Sequence, residues 1–398
     1  MSIRRTPPNP RTRRRPAFVV AAVLIGGACA GLATTGCNQS QPNKPGEPIK
    51  LKVGYIGLTC EAPIFAAQEK GFFKEEGLDV ELVQLGWDTL QVSLSTGKVD
   101  ANHTLLMYLL QGVEKDLDVR ITGGVHMGCL RIQAGANTDI KTVDDLRGKT
   151  IGVPAPPGSP PHMFAQRVLA AHHLDPSQKS KDVTWKAIAG PALGAALKSG
   201  EIQAVADSEP LGSRFIGDGL VKAEAVADQM KDDPYSTEYC CVSVVSGKLA
   251  RENPTAAAKV TRALLKAAKW VGDNPKEASA LSVDETKHYV PSSPNIAEIN
   301  TQALLKLNYT PGVSKCRKSL DDAAEDMKRA GLLHAETDPK ELAQKAWQDL
   351  DGVTDDWVNG LKVEKATAGR PALMNPVEFA ALFAGQSSCC GHCCCIGE

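Results

Sequence analysis

LKVGYIGLTCEAPIFAAQEKGFFKEEGLDVELV, residues 51–83, holds a strand, a helix and a second strand in one short stretch. Leu51, Val53 and Tyr55 alternate with Lys52 and Gly54, the period of a half-buried strand, and the run closes at Gly57. Ile64, Ala67, Gln68, Phe72 and Phe73 then recur at helical spacing across residues 63–76 and stop at Gly77. Residues 78–83 return to the strand pattern. Strand, helix, strand at this pitch is a βαβ unit, whose strands lie parallel.

The alternation continues outward. Residues 89–95 read as a helix, 99–101 as a strand, 104–113 as a helix and 119–122 as a strand. A second run of the same kind begins after Cys129, with strands at 130–134, 150–153, 183–188 and 204–206 and helices at 159–172 and 193–199. Residues 240–245 form a strand that leads back toward the first sheet, and 254–271 are strongly helical. The expectation is an α/β protein of two lobes with mostly parallel sheets. Residues 50–129 and 240–350 form lobe 1, and 130–239 form lobe 2, inserted in it. A cleft between lobes, at the C-terminal ends of parallel strands, is where small ligands bind.

Composition narrows the function classes. The chain has 398 residues, 42% hydrophobic and 23% charged, with 35 Gly and 25 Pro, which fits a globular protein and excludes collagen, disorder and a multi-span membrane protein. A formal net charge of -1 gives no electrostatic case for nucleic acid. Residues 1–15 contain six Arg and no acid, and an apolar run over 17–33 leads to Thr34-Thr35-Gly36-Cys37. That order is a secretion signal over 1–36, with Cys37 as the expected lipidation site and 37–49 as a polar, Pro-rich tether to the membrane. Removing residues 1–36 takes the net charge from -1 to -7, so a bound anion needs local donors rather than a global field.

Five segments carry a family resemblance: TCEAPIFAAQEKGFFKEEGLDVELV (59–83), STGKVDAN (95–102), DDLRGKTIGVP (144–154), LKSGEIQAVADSEP (197–210) and NPTAAAKVTRALLKAAKWVGDNPKEAS (253–279). In this order they resemble the nitrate, sulfonate and bicarbonate class of ABC-transporter solute-binding proteins, a group that includes taurine-binding and thiamine-pyrimidine-synthase-like members. The resemblance implies the type II periplasmic-binding-protein fold, two three-layer α/β domains with a hinge and a ligand cleft. It also implies an exported, membrane-anchored component that passes a small solute to ABC permease and ATPase subunits, without catalysis. The pyrimidine synthases of the family need a cleft His where this chain has Glu61 before Ala62-Pro63, which argues against an enzyme.

Topology places the candidate ligand residues. The loop after the first strand offers Thr59, Cys60 and Glu61, and the end of the third offers His103 and Thr104. The first crossing offers His126 and Cys129, and the return crossing Cys240 and Cys241. From lobe 2 come Ser159 with Gly158 at a helix start, where free N–H groups suit an anion, and Asp207 and Glu209 after a strand. Taken singly, such residues are more often structural. Together, Cys60, Cys129, Cys240, Cys241, His103 and His126 place soft ligands at the expected cleft rim, a set suited to zinc or copper or to a redox disulfide. Few Lys or Arg fall at these strand ends, Arg131 being the nearest, and this weighs against nitrate or sulfonate.

The C-terminal extension, 351–398, ends in five Cys and one His within residues 389–395: Cys389, Cys390, His392, Cys393, Cys394 and Cys395. Cys390-x-x-Cys393 has the bite of a tetrahedral thiolate site, so the tail is expected to bind zinc or copper. The rival expectation to solute import is therefore a soft-metal-binding or metal-delivery protein on the same fold.

Overall fold

The computed structural model describes residues 46–154, 157–365 and 374–384. The signal segment, Cys37 and the tail residues Cys389, Cys390, His392, Cys393, Cys394 and Cys395 lie outside the described residues.

In chain order the strands are β1 (Ile49–Tyr55), β2 (Leu78–Gln84), β3 (Ala101–Leu105), β4 (Val119–Met127), β5 (Leu130–Ala134), β6 (Lys149–Val153), β7 (Val183–Ala187), β8 (Ala204–Ser208), β9 (Ala227–Asp228) and β10 (Tyr239–Ser246). They form two sheets of identical plan, ordered β2-β1-β3-β10-β4 and β7-β6-β8-β5-β9. β1 pairs in parallel with β2 and β3, and β6 in parallel with β7 and β8.

Four strands of each sheet share one direction, in line with the sequence expectation, and one strand runs against them. β10 runs antiparallel to β3 and β4, and β5 antiparallel to β8 and β9. For β5 the cause is the brevity of the first crossing. β4 ends at Met127 and β5 begins at Leu130, so the chain enters the second sheet at the end where β4 left the first and must run back from it. The return crossing, residues 229–238, is longer, and it too delivers the chain to that end of the first sheet, from which β10 runs back. Gly128 makes the first turn at φ +77°, a conformation costly to other residues, and a Cβ there would collide with the Met230 side chain.

Two helix boundaries also differ. Periodicity predicts one helix over 63–76, whereas the chain forms Ala62–Glu69 and Phe72–Glu75, broken at Gly71 with φ +79°. Thr104 is expected at a helix start, yet it lies inside β3, and the helix begins at Leu106. Pairing of β3 with β10 as far as Leu105 opposite Cys241 holds these residues extended.

The long helix Pro254–Asp273 packs across Ala62–Glu69 on one face of the first sheet. Pro254 opens it, and the Asn253 side chain caps it by accepting from the Ala256 N–H at 3.0 Å. Its apolar stripe, including Leu264, Leu265 and Trp270, meets Ile64 and Phe65 in one continuous core. Each such side chain contributes about 1.5–3 kcal/mol by burial. No helix of the described residues is long and apolar enough to cross a membrane.

Candidate functional site

β1, β3 and β4 point their C-terminal ends toward the crossings, and β10 begins there, so one end of the first sheet collects residues distant in sequence. Cys60 lies in the turn Thr59–Glu61 after β1, His103 in β3, His126 in β4, Cys129 in the crossing, and Cys240 and Cys241 in β10. Cys241 is the register partner of His126. The β4–β10 ladder shifts register on both sides of Cys241, an irregularity that re-aims side chains which strict alternation would send to opposite faces.

These six side chains do meet, but not at the rim. All are 3% exposed or less, so the expected rim site is a buried cluster within lobe 1. The ligand atoms of Cys60, His126 and Cys241 lie within 4.8 Å of one another. The Cys129 thiol lies against those of Cys60, Cys240 and Cys241, and the rings of His103 and His126 meet edge-on at 5.3 Å. All four thiols are free. Neither imidazole makes a hydrogen bond of good geometry, although the backbone at Met127 and Gly128 lies beside His126.

Burial lowers the pKa of both histidines, which keeps the rings neutral and their lone pairs available. The thiols behave as a set. Hydrogen bonds from Cys240, Cys241 and Cys60 draw Cys129 below the usual thiol value, and its three neighbours are raised correspondingly, Cys240 and Cys241 chiefly by burial. Cys316 stands apart, a free core thiol raised by burial alone.

Cys129 also lines a cavity of about 160 Å³ between the sheets. Leu58, Trp87 and Leu105 wall it from the first lobe, and Ser159, Pro161, Ser208 and Leu211 from the second. The helix Pro160–Ala171 points its N-terminus here, but it is a poor anion site, against expectation. Pro160 and Pro161 carry no N–H, and the Gly158 N–H is taken by His162 Nδ1 at 3.0 Å. The buried Ser159 Oγ has no partner and remains the donor on offer.

The three expected acidic ligands are all engaged by protein partners, and of them Glu209 also lines the cavity. Glu61 accepts the N–H groups of Ile56, Gly57 and Leu58 at 2.7–3.0 Å and so fixes the loop that carries Cys60. Burial lifts its pKa to about 7 against the pull of those donors. Arg131 Nη2 lies 2.8 Å from Glu209 Oε1 and 3.6 Å from Asp207 Oδ1, all three buried. The arginine nearest the cleft is thereby paired with two carboxylates, which offset its charge. Thr59 is buried with its hydroxyl unpartnered, and Thr104 is buried on the face of β3 opposite His103.

Sequence reading missed Tyr309, whose ring lies 4.9 Å from that of His126 and whose hydroxyl donates to the Cys60 carbonyl at 3.2 Å. It also missed the apolar cavity walls, since isolated Leu, Trp and Pro positions give no local signal of facing a cleft.

Comparison with known proteins agrees with the architecture. The nitrate/nitrite binding protein NrtA of Nostoc is 26% identical over 320 residues, covering 71% of this chain and 70% of that protein. A stretch of 192 residues, 44% of this chain, is 28% identical to the bicarbonate transport ATP-binding protein CmpC of Synechocystis, covering 28% of it. The crystal structure of the periplasmic nitrate-binding protein NrtA from Synechocystis superposes with a TM-score of 0.61 at 20% identity, over 85% of this chain and 98% of that one. The two-lobed sheets are therefore those of a periplasmic binding protein. The profile of the NMT1-like family matches residues 44–283, and the chain belongs to that family.

Proposed function

We propose that the chain is the exported solute-binding component of an ABC import system, which captures a small solute in the cleft between its lobes and passes it to a permease driven by an ATPase. The observation that carries this reading is the cavity of about 160 Å³ at the crossings, walled by both lobes of a fold shared with nitrate-binding proteins. Closure of such lobes on a ligand is a population shift and calls for no chemistry. Lipidation at Cys37 would hold the protein beside its permease.

The solute is small. The donor-poor helix start and the carboxylate-paired Arg131 favour a ligand recognised by few hydrogen bonds over one gripped by an arginine fork. Nitrate, bicarbonate and sulfonates, the cargoes in the names of related proteins, are the first ligands to try. Thermal-shift measurement of the purified chain against these anions tests the reading, with uptake of the same solutes in a strain lacking the gene. A stabilising solute whose uptake falls in the deletion strain supports import. A solute that binds while uptake stays unchanged overturns it.

A further inference from the structure

Most buried histidines hydrogen-bond both ring nitrogens, and buried polar atoms without partners call for an explanation. Here two neutral imidazoles and four free thiols share one buried pocket, and no nitrogen of His103 or His126 has a well-formed hydrogen bond. The fold has gathered six soft ligand groups from five separate segments, with the thiols in contact with one another and the imidazole nitrogens left without partners. A core of similar size would be filled at lower cost by apolar side chains.

The spacing is that of a nearly formed coordination shell. In a tetrahedral site with zinc-like bond lengths, neighbouring sulfur and nitrogen donors stand about 3.6–3.8 Å apart. The donors of Cys60, His126 and Cys241 already lie within 4.8 Å of one another, so small rotamer adjustments bring them to one ion. Cys129 touches the same thiols and is the member that also faces the interlobe cavity, which gives an entry path. Glu61 and Tyr309 fix the Cys60 segment through backbone contacts, which orients its thiol without a further ligand.

We propose that Cys60, His126 and Cys241, completed by Cys129, form a binding site for a thiophilic d10 metal ion, Zn(II) or Cu(I), inside lobe 1. Binding replaces the thiol protons with the ion and releases them to solvent, with no change of oxidation state. The site stands whether or not the chain serves an importer, and it is separate from the Cys-rich tail.

The test uses the full-length protein, reduced and stripped of metal, in which Cys389, Cys390, Cys393, Cys394 and Cys395 are replaced by Ser to silence the tail. Zn(II) and Cu(I) are titrated in separate arms against chromogenic chelators, and Co(II) is added as a spectroscopic probe for thiolate charge transfer. One equivalent of metal and a thiolate band are expected. Cys60→Ser, Cys241→Ser and His126→Gln should each weaken binding at least about 100-fold, beyond the usual effect of removing an outer partner. Circular dichroism and a thermal melt of each apo variant separate lost ligation from lost folding. Should a variant not fold, protection of Cys60 and Cys241 from alkylation by metal in the parent protein gives the same answer.

Binding in the Zn(II) arm alone marks a zinc site, and binding in the Cu(I) arm alone a copper site. Absence of stoichiometric binding in both arms overturns the proposal, as does retention of affinity when Cys60 and Cys241 are both replaced in a folded protein. A non-reducing mass two hydrogen atoms lower, with two cluster thiols blocked, would assign a redox disulfide instead and overturn it as well. A solute-uptake phenotype bears only on the import reading, so the two proposals fail separately.

Discussion

Arg167, on the helix Pro160–Ala171 of the second lobe, places its Nη2 2.8 Å from Asp326 Oδ2, on the helix Ser314–Arg329 that packs on the first sheet. The same nitrogen meets both oxygens of Glu238 at 3.0 Å, just before β10 re-enters the first sheet. One buried cation thus ties the two lobes beside the second crossing, and desolvation makes its loss costly.

Replacing Arg167 by Met leaves Glu238 and Asp326 facing a buried void of charge. The expected result is about 3–5 kcal/mol of lost stability by denaturant unfolding, with a larger radius of gyration in small-angle scattering as the lobes part. A variant as compact and as stable as the parent would contradict the clasp.

Arg131 is the counterpart inside the second lobe. Arg131→Met uncovers Asp207 and Glu209 together and should cost about 3–5 kcal/mol, whereas Glu209→Gln keeps one oxygen to accept from Ser213, leaves Arg131 beside Asp207 and should cost less. Both are read from urea midpoints. The opposite order would mean that Arg131 is not the group balancing the pair.

His162 gives the second lobe an acid sensitivity. Its ring accepts the Gly158 N–H, lies beside Gln178 and packs edge-on against Trp185, and burial lowers its pKa from 6.5 to about 4. The unfolded chain binds that proton more readily than the native one. The associated stability is therefore complete above pH 6.5 and declines as pH falls toward 4, by up to about 3 kcal/mol. Unfolding at pH 7 and pH 4.5 should show this decline, and His162→Gln should flatten it. An equal decline in the variant would assign the sensitivity elsewhere.

Ser208→Phe tests the cleft. Ser208 is partly exposed and lines the cavity between the lobes, so a ring placed there fills the space with little disturbance of the core. Any solute-induced rise in melting temperature should disappear, with the ligand-free melting temperature nearly unchanged. A rise that survives would put the solute outside this cavity.

Local patterns in the sequence were enough for the alternation of strands and helices, the two lobes and the candidate Cys and His residues. Alternation at Leu51, Val53 and Tyr55 and helical spacing from Ile64 are properties of neighbours along the chain, and they are legible without a fold. The antiparallel sense of β5 and β10 was not legible, because it arises from the end of the sheet to which a crossing delivers the chain. Likewise Pro160 and Pro161 stood in plain view, yet their effect on an anion site appears only once that helix end is seen to face the cavity.

The sequence by itself determined which chemistries were on offer: thiols and imidazoles at strand ends, few cations, and acids beside them. Tertiary structure decided which of these are free. Glu61 is held by its own loop, and Asp207 and Glu209 pair with Arg131, while Cys60, Cys129, Cys240, Cys241, His103 and His126 are buried together. The reason is physical. Whether a polar group is spent or available depends on partners supplied by distant segments and on burial, and neither is encoded in the residue or its neighbours.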